Sequence, residues 1–243
     1  MSNDNPLIPI LENLFLTPSS EFYISTVLYN PDGTSADPLT AAEIDVGTMD
    51  GDGVEIGVVL KQVVIKGLSN TQVKFDTDNK PEITVDGDQV TFHAKLPNTQ
   101  AGYERPQSVP DQVEMASELD IALNGTAMPP GTLSGTIRTV ADITGVFTAT
   151  QKDSHDPQTV QIQMNKLVIS PATADGNITI TVDLNTVFKG VINTILNTPE
   201  NLDKMVAALN TELAKPETLQ KLSDALTDQA RKALAGIEMA VPA

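Results

Sequence analysis

Residues 177–196 read N-I-T-I-T-V-D-L-N-T-V-F-K-G-V-I-N-T-I-L, and the fold turns on the change of period inside them. Up to Leu184 the apolar residues Ile178, Ile180, Val182 and Leu184 take every second place, the repeat of a strand with one wet face. From Asn185 the repeat lengthens to about 3.6 residues, and Val187, Phe188, Val191, Ile192, Ile195 and Leu196 fall on one helical stripe. A β-rich body therefore stops near residue 184 and a helical tail begins.

Downstream, Asn197-Thr198-Pro199 ends the first helix. Thr198 is placed to cap the next one, with Pro199 at its first position, where a missing N–H costs nothing. That helix puts Leu202, Met205, Val206, Leu209 and Leu213 on one face. Lys215-Pro216 restarts the chain into a last helix carrying Leu219, Leu222, Leu226, Ala230, Ala233, Leu234 and Ile237.

Upstream the period is two. Residues 22–30, FYISTVLYN, predict a strand closed by the turn Pro31-Asp32-Gly33, and 41–49 predict another, running into Asp50-Gly51-Asp52-Gly53. Val54, Ile56, Val58, Leu60, Val63 and Ile65 alternate along one run that changes phase near Lys61-Gln62, which predicts a β-bulge there. The pattern continues through 71–77 and 82–96, and residues 97–111, with Pro97, Gly102, Pro106 and Pro110, read as a long loop. Val113, Met115, Leu119, Ile121 and Leu123 then alternate against Glu114, Glu118 and Asp120. Strands near 132–140, 143–151, 159–170 and 177–184 follow, with short separators that favour antiparallel meander pairing. The expected architecture is α+β. It is a single domain over 1–243, with 1–184 mostly antiparallel β and 185–240 a helical tail packed on the sheet.

Composition narrows the function. The 243 residues include no cysteine, so disulfides, thiolate metal sites and cysteine nucleophiles are excluded. Aromatic residues are 4% with no Trp, so the core must be aliphatic. Net charge is −17; residues 1–198 hold 25 acidic and 10 basic residues, the remainder 7 and 5, so the body is acidic and the tail almost balanced. Nucleic acid is an improbable partner for such a surface, and an anionic membrane would repel it. The N-terminus MSNDNPLIPILENLFLTP lacks the basic start and unbroken apolar run of a signal peptide, and no stretch has the length and apolarity of a spanning helix. The expectation is a soluble cytoplasmic protein, with export by another route left open.

No reaction is written in the residues. His93 lies on the polar phase of its strand and His155 in the turn Asp153–Pro157, so both are expected to face water, far from any nucleophile elbow. Asp50-Gly51-Asp52-Gly53, with Asp45 and Glu55 nearby, fails the calcium-loop spacing and reads as a tight turn, as do Asp76-Thr77-Asp78 and Asp86-Gly87-Asp88. Gly125, Gly131 and Gly135 punctuate strand ends without opening a helix, so no phosphate loop is expected. The sequence suggests neither a catalytic residue nor a cofactor or metal ligand.

One resemblance runs through these features. Val63-Val64-Ile65-Lys66-Gly67-Leu68-Ser69-Asn70 resembles the strand, Gly-Leu, turn element of takeout-like proteins, and Gly125, Gly135 and Ile143-Thr144-Gly145-Val146-Phe147 resemble the meander that follows it. With the helix from Asn185, the organisation over residues 40–240 is similar to that of the tubular lipid-binding (TULIP) superfamily. The bacterial, cysteine-free members of clostridial toxin gene clusters are the nearer comparison. Departures are the impossible disulfide of extracellular members and the lack of room for a long helix before Phe22. The resemblance implies a strongly curved sheet wrapped on helices and an apolar cavity for a lipid or other hydrophobic small molecule. Val187, Phe188, Val191, Ile192 and Ile195, with Phe147 and Met164 from the sheet, would line that cavity. The alternative is an assembly module whose nearly neutral C-terminal helices dock on a protein partner or on another copy.

Overall fold

The computed structural model describes residues 7–16, 37–51, 53–78, 80–101, 103–105, 107, 109–153 and 156–239. The strand expected at 22–30, its turn at 31–33, and His155 lie outside them. A short helix α1 (Leu7–Leu11) continues as a π-helical turn through Leu16, with Leu7, Leu11, Phe15 and Leu16 buried.

Among the described residues eleven strands follow, and every pairing between them is antiparallel. The first sheet runs in the order β1 (Leu39–Gly51), β2 (Val54–Lys66), β6 (Val113–Leu123), β8 (Gly131–Ile137), β11 (Ile178–Asp183), with β7 (Thr126–Ala127) on β6. The second runs β10 (Val160–Pro171), β9 (Val140–Gln151), β5 (Gln89–Leu96), β3 (Gln72–Val73), with β4 (Ile83–Asp86) on β5. The α+β class and antiparallel pairing agree with the sequence reading, but the expected meander does not hold. Beyond the hairpins β1–β2, β4–β5, β6–β7 and β9–β10, the chain leaves one sheet for the other at β2→β3, β5→β6, β8→β9 and β10→β11. Only two residues, Arg138 and Thr139, separate β8 from β9.

These crossings are held by buried polar side chains. Gly67 (φ +93°) turns the chain out of β2, and the buried Asp37 carboxylate accepts from Gly67 N–H, Ser69 N–H and Ser69 Oγ, the last at 2.6 Å. Asn70 donates to the Asp111 carbonyl, and Asn98 donates to the carbonyls of Asn70 and Thr71. At the other crossings Asn177 does the same work, donating to the carbonyls of Thr139 and Ala172 and accepting from Thr139 N–H. Backbone leaving a sheet loses its ladder partners, so these side chains supply what would otherwise be unsatisfied buried groups.

The bulge expected near Lys61-Gln62 is present. The β2–β6 register shifts between Lys61 and Val64, and Gln62 takes φ +50°. A second bulge in β1 sits at Gly47 (φ +82°), whose N–H is held by the Asp45 side chain. The sheet cores are aliphatic with a few rings. Ile56, Val58, Leu60, Val63 and Ile65 of β2 are buried, as are Phe92 and Phe147 of the second sheet, which meet at 6.2 Å.

The tail folds as α2 (Lys189–Leu196), α3 (Pro199–Leu213) and α4 (Pro216–Met239). The helix expected from Asn185 starts four residues later, because Asn185–Phe188 form a turn. Thr198 does stand at the N-cap of α3 ahead of Pro199, yet its hydroxyl turns back to donate to the Ile195 carbonyl instead of capping. No helix among the described residues is long and apolar enough to cross a membrane.

Candidate functional site

The helices meet the sheets in a way set by two repeat lengths. Four residues of α-helix rise about 6.0 Å, close to the roughly 6.6 Å of two strand residues. Side chains at i and i+4 can therefore pair with alternate backbone groups of an exposed strand. Asn193 and Asn197 of α2 each bind both backbone groups of a β11 residue, Val182 and Ile180 respectively. Asn210 of α3 pairs with both groups of Ile169 on β10. On α4, Ser223 accepts from Met164 N–H, Thr227 pairs with both groups of Ile162, and Arg231 donates to the Val160 carbonyl. β10 and β11 are rim strands, so the tail covers the edges that would otherwise template another chain.

The other rim of the first sheet, β1, is held by α3. Asn201 donates to the Asp50 carbonyl and Lys204 to the Thr48 carbonyl. α2 also reaches this rim, since a Cβ on Gly51 would come within 2.8 Å of Ile195 Cγ1. The α2–α3 segment thus touches both outer strands of the first sheet.

Beneath α3, between the helix and the first sheet, lies an apolar cleft. Its sheet wall is Ile65, Val113, Met115, Ile137, Ile178 and Ile180; its helix wall is Met205, Val206 and Leu209. Gly135 and Thr136 complete it, and the unfilled space is about 30 Å³. Met115, Ile178 and Val206 are half-buried, so the cleft opens to the surface along them. Two wider grooves, of about 550 and 530 Å³, are polar. One runs between α4 and the outer face of β9 and β10, past Gln161, Gln163, Asp224 and Arg231; the other lies where β1 passes Glu212 and Lys215.

The residues named from sequence do not converge on one place. Ile192, Ile195, Phe147 and Met164 are buried in the core, whereas Val187 is 93% exposed, Val191 52% and Phe188 47%. With the helix starting at Lys189, the inward stripe is Ile192, Ile195 and Leu196, and Val191 turns away from it. The cleft is lined by other residues. The sequence periodicity places Met205, Val206 and Leu209 on one helical face and Val113 and Met115 on one strand face, but alternation does not say that these faces meet.

His93 does not simply face water. Its Nδ1 lies 3.1 Å from Asp142 Oδ1, and Asp142 also accepts from Lys74 Nζ at 3.1 Å and Thr144 Oγ1 at 2.8 Å. Partial burial alone would raise the Asp142 carboxyl; the bonds from Thr144, Lys74 and His93 outweigh it and hold the group below the usual carboxylate range. The cluster sits on the outer face of the second sheet and ties β3's flank, β5 and β9 together. The acidic turns are turns: Asp76 Oδ1 accepts from Asp78 and Lys80 N–H, and Asp86-Gly87-Asp88 closes the β4–β5 hairpin with Gly87 at φ +61°.

No protein-family model matches this chain, and comparison with curated proteins finds no relative by sequence.

Proposed function

We propose that the protein binds an aliphatic small molecule, a lipid tail or a ligand of similar character, in the cleft between the first sheet and α3. The observation that carries this reading is the composition of the cleft. Ile65, Val113, Met115, Ile137, Ile178 and Ile180 face Met205, Val206 and Leu209, with Thr136 as the one polar side chain. An apolar wall with few polar groups suits a hydrocarbon guest, and the absence of rings from that wall suits a chain better than a stacked aromatic.

Size sets the mechanism. Ligand pockets run from roughly 300 to 1,000 Å³, so a gap of about 30 Å³ holds a guest only if α3 lifts from the sheet. The walls suit that motion. Met115 and Met205 are unbranched and re-pack readily, and Gly135 keeps the sheet floor bare. Thr198-Pro199 and Lys215-Pro216 bracket α3 with breaks about which it can turn. A strongly curved sheet belongs to the same reading, supported by the contact of α2–α3 with both β1 and β11.

Native mass spectrometry of gently purified protein, followed by organic extraction, tests this. The proposal expects a bound mass that extraction releases and that a Val206→Glu variant lacks. Protein that carries no added mass and takes up no fluorescent fatty acid at micromolar concentration would refute it.

A further inference from the structure

We infer that the groove between α4 and the outer face of β9 and β10 binds a short extended peptide with free termini, about three residues long. The groove holds about 550 Å³, within the roughly 300–1,000 Å³ of small-ligand sites, and it shares no residue with the cleft under α3. Its charged lining comes from α4 alone: Asp224, Asp228 and Arg231. Asp228 is paired with Lys232 at 2.7 Å, one turn further on. The other two have no ionic partner among the described residues. Arg231 Nε donates to the Val160 carbonyl at 3.0 Å, which anchors the side chain and leaves the rest of the guanidinium without a carboxylate. Asp224 accepts from the Gln220 amide at 2.8 Å through Oδ1, and its second oxygen is open. In a chain with 32 acidic and 15 basic residues, an anchored arginine without a carboxylate is an unused fork for an anionic group.

Spacing selects the ligand. Asp224 and Arg231 lie two turns apart along one side of α4, a separation of about 10.5 Å. An extended peptide of about three residues spans roughly 10 Å, so it brings its ammonium to Asp224 and its carboxylate to Arg231. The floor between these ends is neutral and polar. Val160 meets Arg231 and Met164 meets Ser223, so Gln161 and Gln163 of β10 fall between the two charges, with Thr150 of β9 opposite Gln161. The side chains of Thr150, Gln161 and Gln163 form no hydrogen bond among the described residues. Two strand residues repeat in about 6.6 Å, the interval at which an extended peptide presents its backbone groups to one side. A simple anion would suit Arg231 but meet Asp224 and a net charge of −17. A neutral polyol would displace water from both charges and compensate neither. A zwitterion of the right length compensates both and carries no net charge to be repelled.

The test is isothermal titration calorimetry of the full-length protein with trialanine. Saturable binding is expected, weaker by about ten-fold or more for N-acetyl-trialanine and for trialanine amide, each of which lacks one charged end. Asp224→Asn should weaken trialanine to a similar degree and leave the affinity for N-acetyl-trialanine unchanged. Arg231→Gln should weaken trialanine and leave trialanine amide unchanged. Asp224 is exposed, so its variant keeps the wild-type melting temperature, and the test stands on it even if Arg231→Gln, which also loses the bond to Val160, fails to fold. Absence of trialanine binding, or equal binding of the free and capped peptides, would overturn the inference. So would binding of inorganic phosphate or maltotriose in place of the peptide.

Discussion

Asn210 of α3 pairs with Ile169 of β10 as a neighbouring strand would: its Oδ1 accepts from the Ile169 N–H at 2.8 Å and its Nδ2 donates to the Ile169 carbonyl at 2.9 Å. The same two-bond contact recurs at Asn193–Val182, Asn197–Ile180 and Thr227–Ile162. The tail is in this sense a substitute for missing strands. Replacing Asn210 with Leu leaves an N–H and a carbonyl without partners at a half-buried rim, each costing about 1–3 kcal/mol. Urea unfolding is expected to lose about 2–3 kcal/mol, with Thr227→Val losing about 1–2 kcal/mol by the same mechanism. If either variant unfolds at the wild-type midpoint, the rim contacts do not stabilise the fold.

The crossing out of β2 makes a second prediction. Gly67 has φ +93°, and a Cβ there would lie 2.1 Å from the Gln112 carbonyl oxygen. Gly47 has φ +82° but nothing within 4 Å of the same position. Gly47→Ala therefore carries only the left-handed backbone penalty of about 1–2 kcal/mol. Gly67→Ala adds a collision with backbone and is expected to cost more than about 3 kcal/mol, or to prevent folding. Equal midpoints for the two variants would contradict the account of this turn.

Asp142 makes the acid limb of stability measurable. Its folded pKa is lowered, since the bonds from Thr144, Lys74 and His93 overcome the effect of burial. The unfolded state binds its proton more readily, so the stabilisation is fully present above the ordinary Asp pKa of about 3.9 and is lost as pH falls through the folded value. Asp142→Asn should flatten the decline in stability below about pH 4, and an unchanged acid limb would contradict the lowered carboxyl. Glu82, 3.5 Å from Lys74, remains as a weaker partner in the variant.

Gly135 offers a gain in stability linked to a loss of binding. It lies on the cleft floor in a strand without positive φ, and the nearest atom to an added Cβ is the flexible tip of Met115 at 3.2 Å. Gly135→Ala should raise stability by about 0.4–1 kcal/mol through the unfolded chain. It should also weaken fatty-acid binding several-fold by filling the cleft. Tighter binding in this variant would place the ligand elsewhere.

Much of this fold was legible in the sequence, for a definite reason. Period reports which side of an element is buried, so strands 54–66 and 113–123, the bulge at Gln62 and the change to helix were all readable. Period does not report neighbours. The hydrophobic alternation of β8 and β9 is the same whether Arg138-Thr139 makes a hairpin or a crossing between sheets, and the structure makes it a crossing. The 3.6-residue stripe in the sequence starts at Val187, but in the structure Val187 and Phe188 precede the first turn and stay exposed. The rim contacts left one faint mark in the sequence. Asn193 and Asn197, and Ser223 and Thr227, are poor helix formers spaced four apart beside apolar stripes, where a solvent-facing position would favour Glu, Lys or Gln.

The most direct test of ligand binding under α3 uses the methionines as reporters. Met115 and Met205 line the cleft, whereas Met49 and Met164 are buried away from it. In protein labelled at the methionine methyl groups, titration with a long-chain fatty acid should move the Met115 and Met205 resonances together and saturably, leaving Met49 and Met164 in place. No movement of Met115 and Met205 at saturating ligand, or shifts confined to the other two, would contradict it.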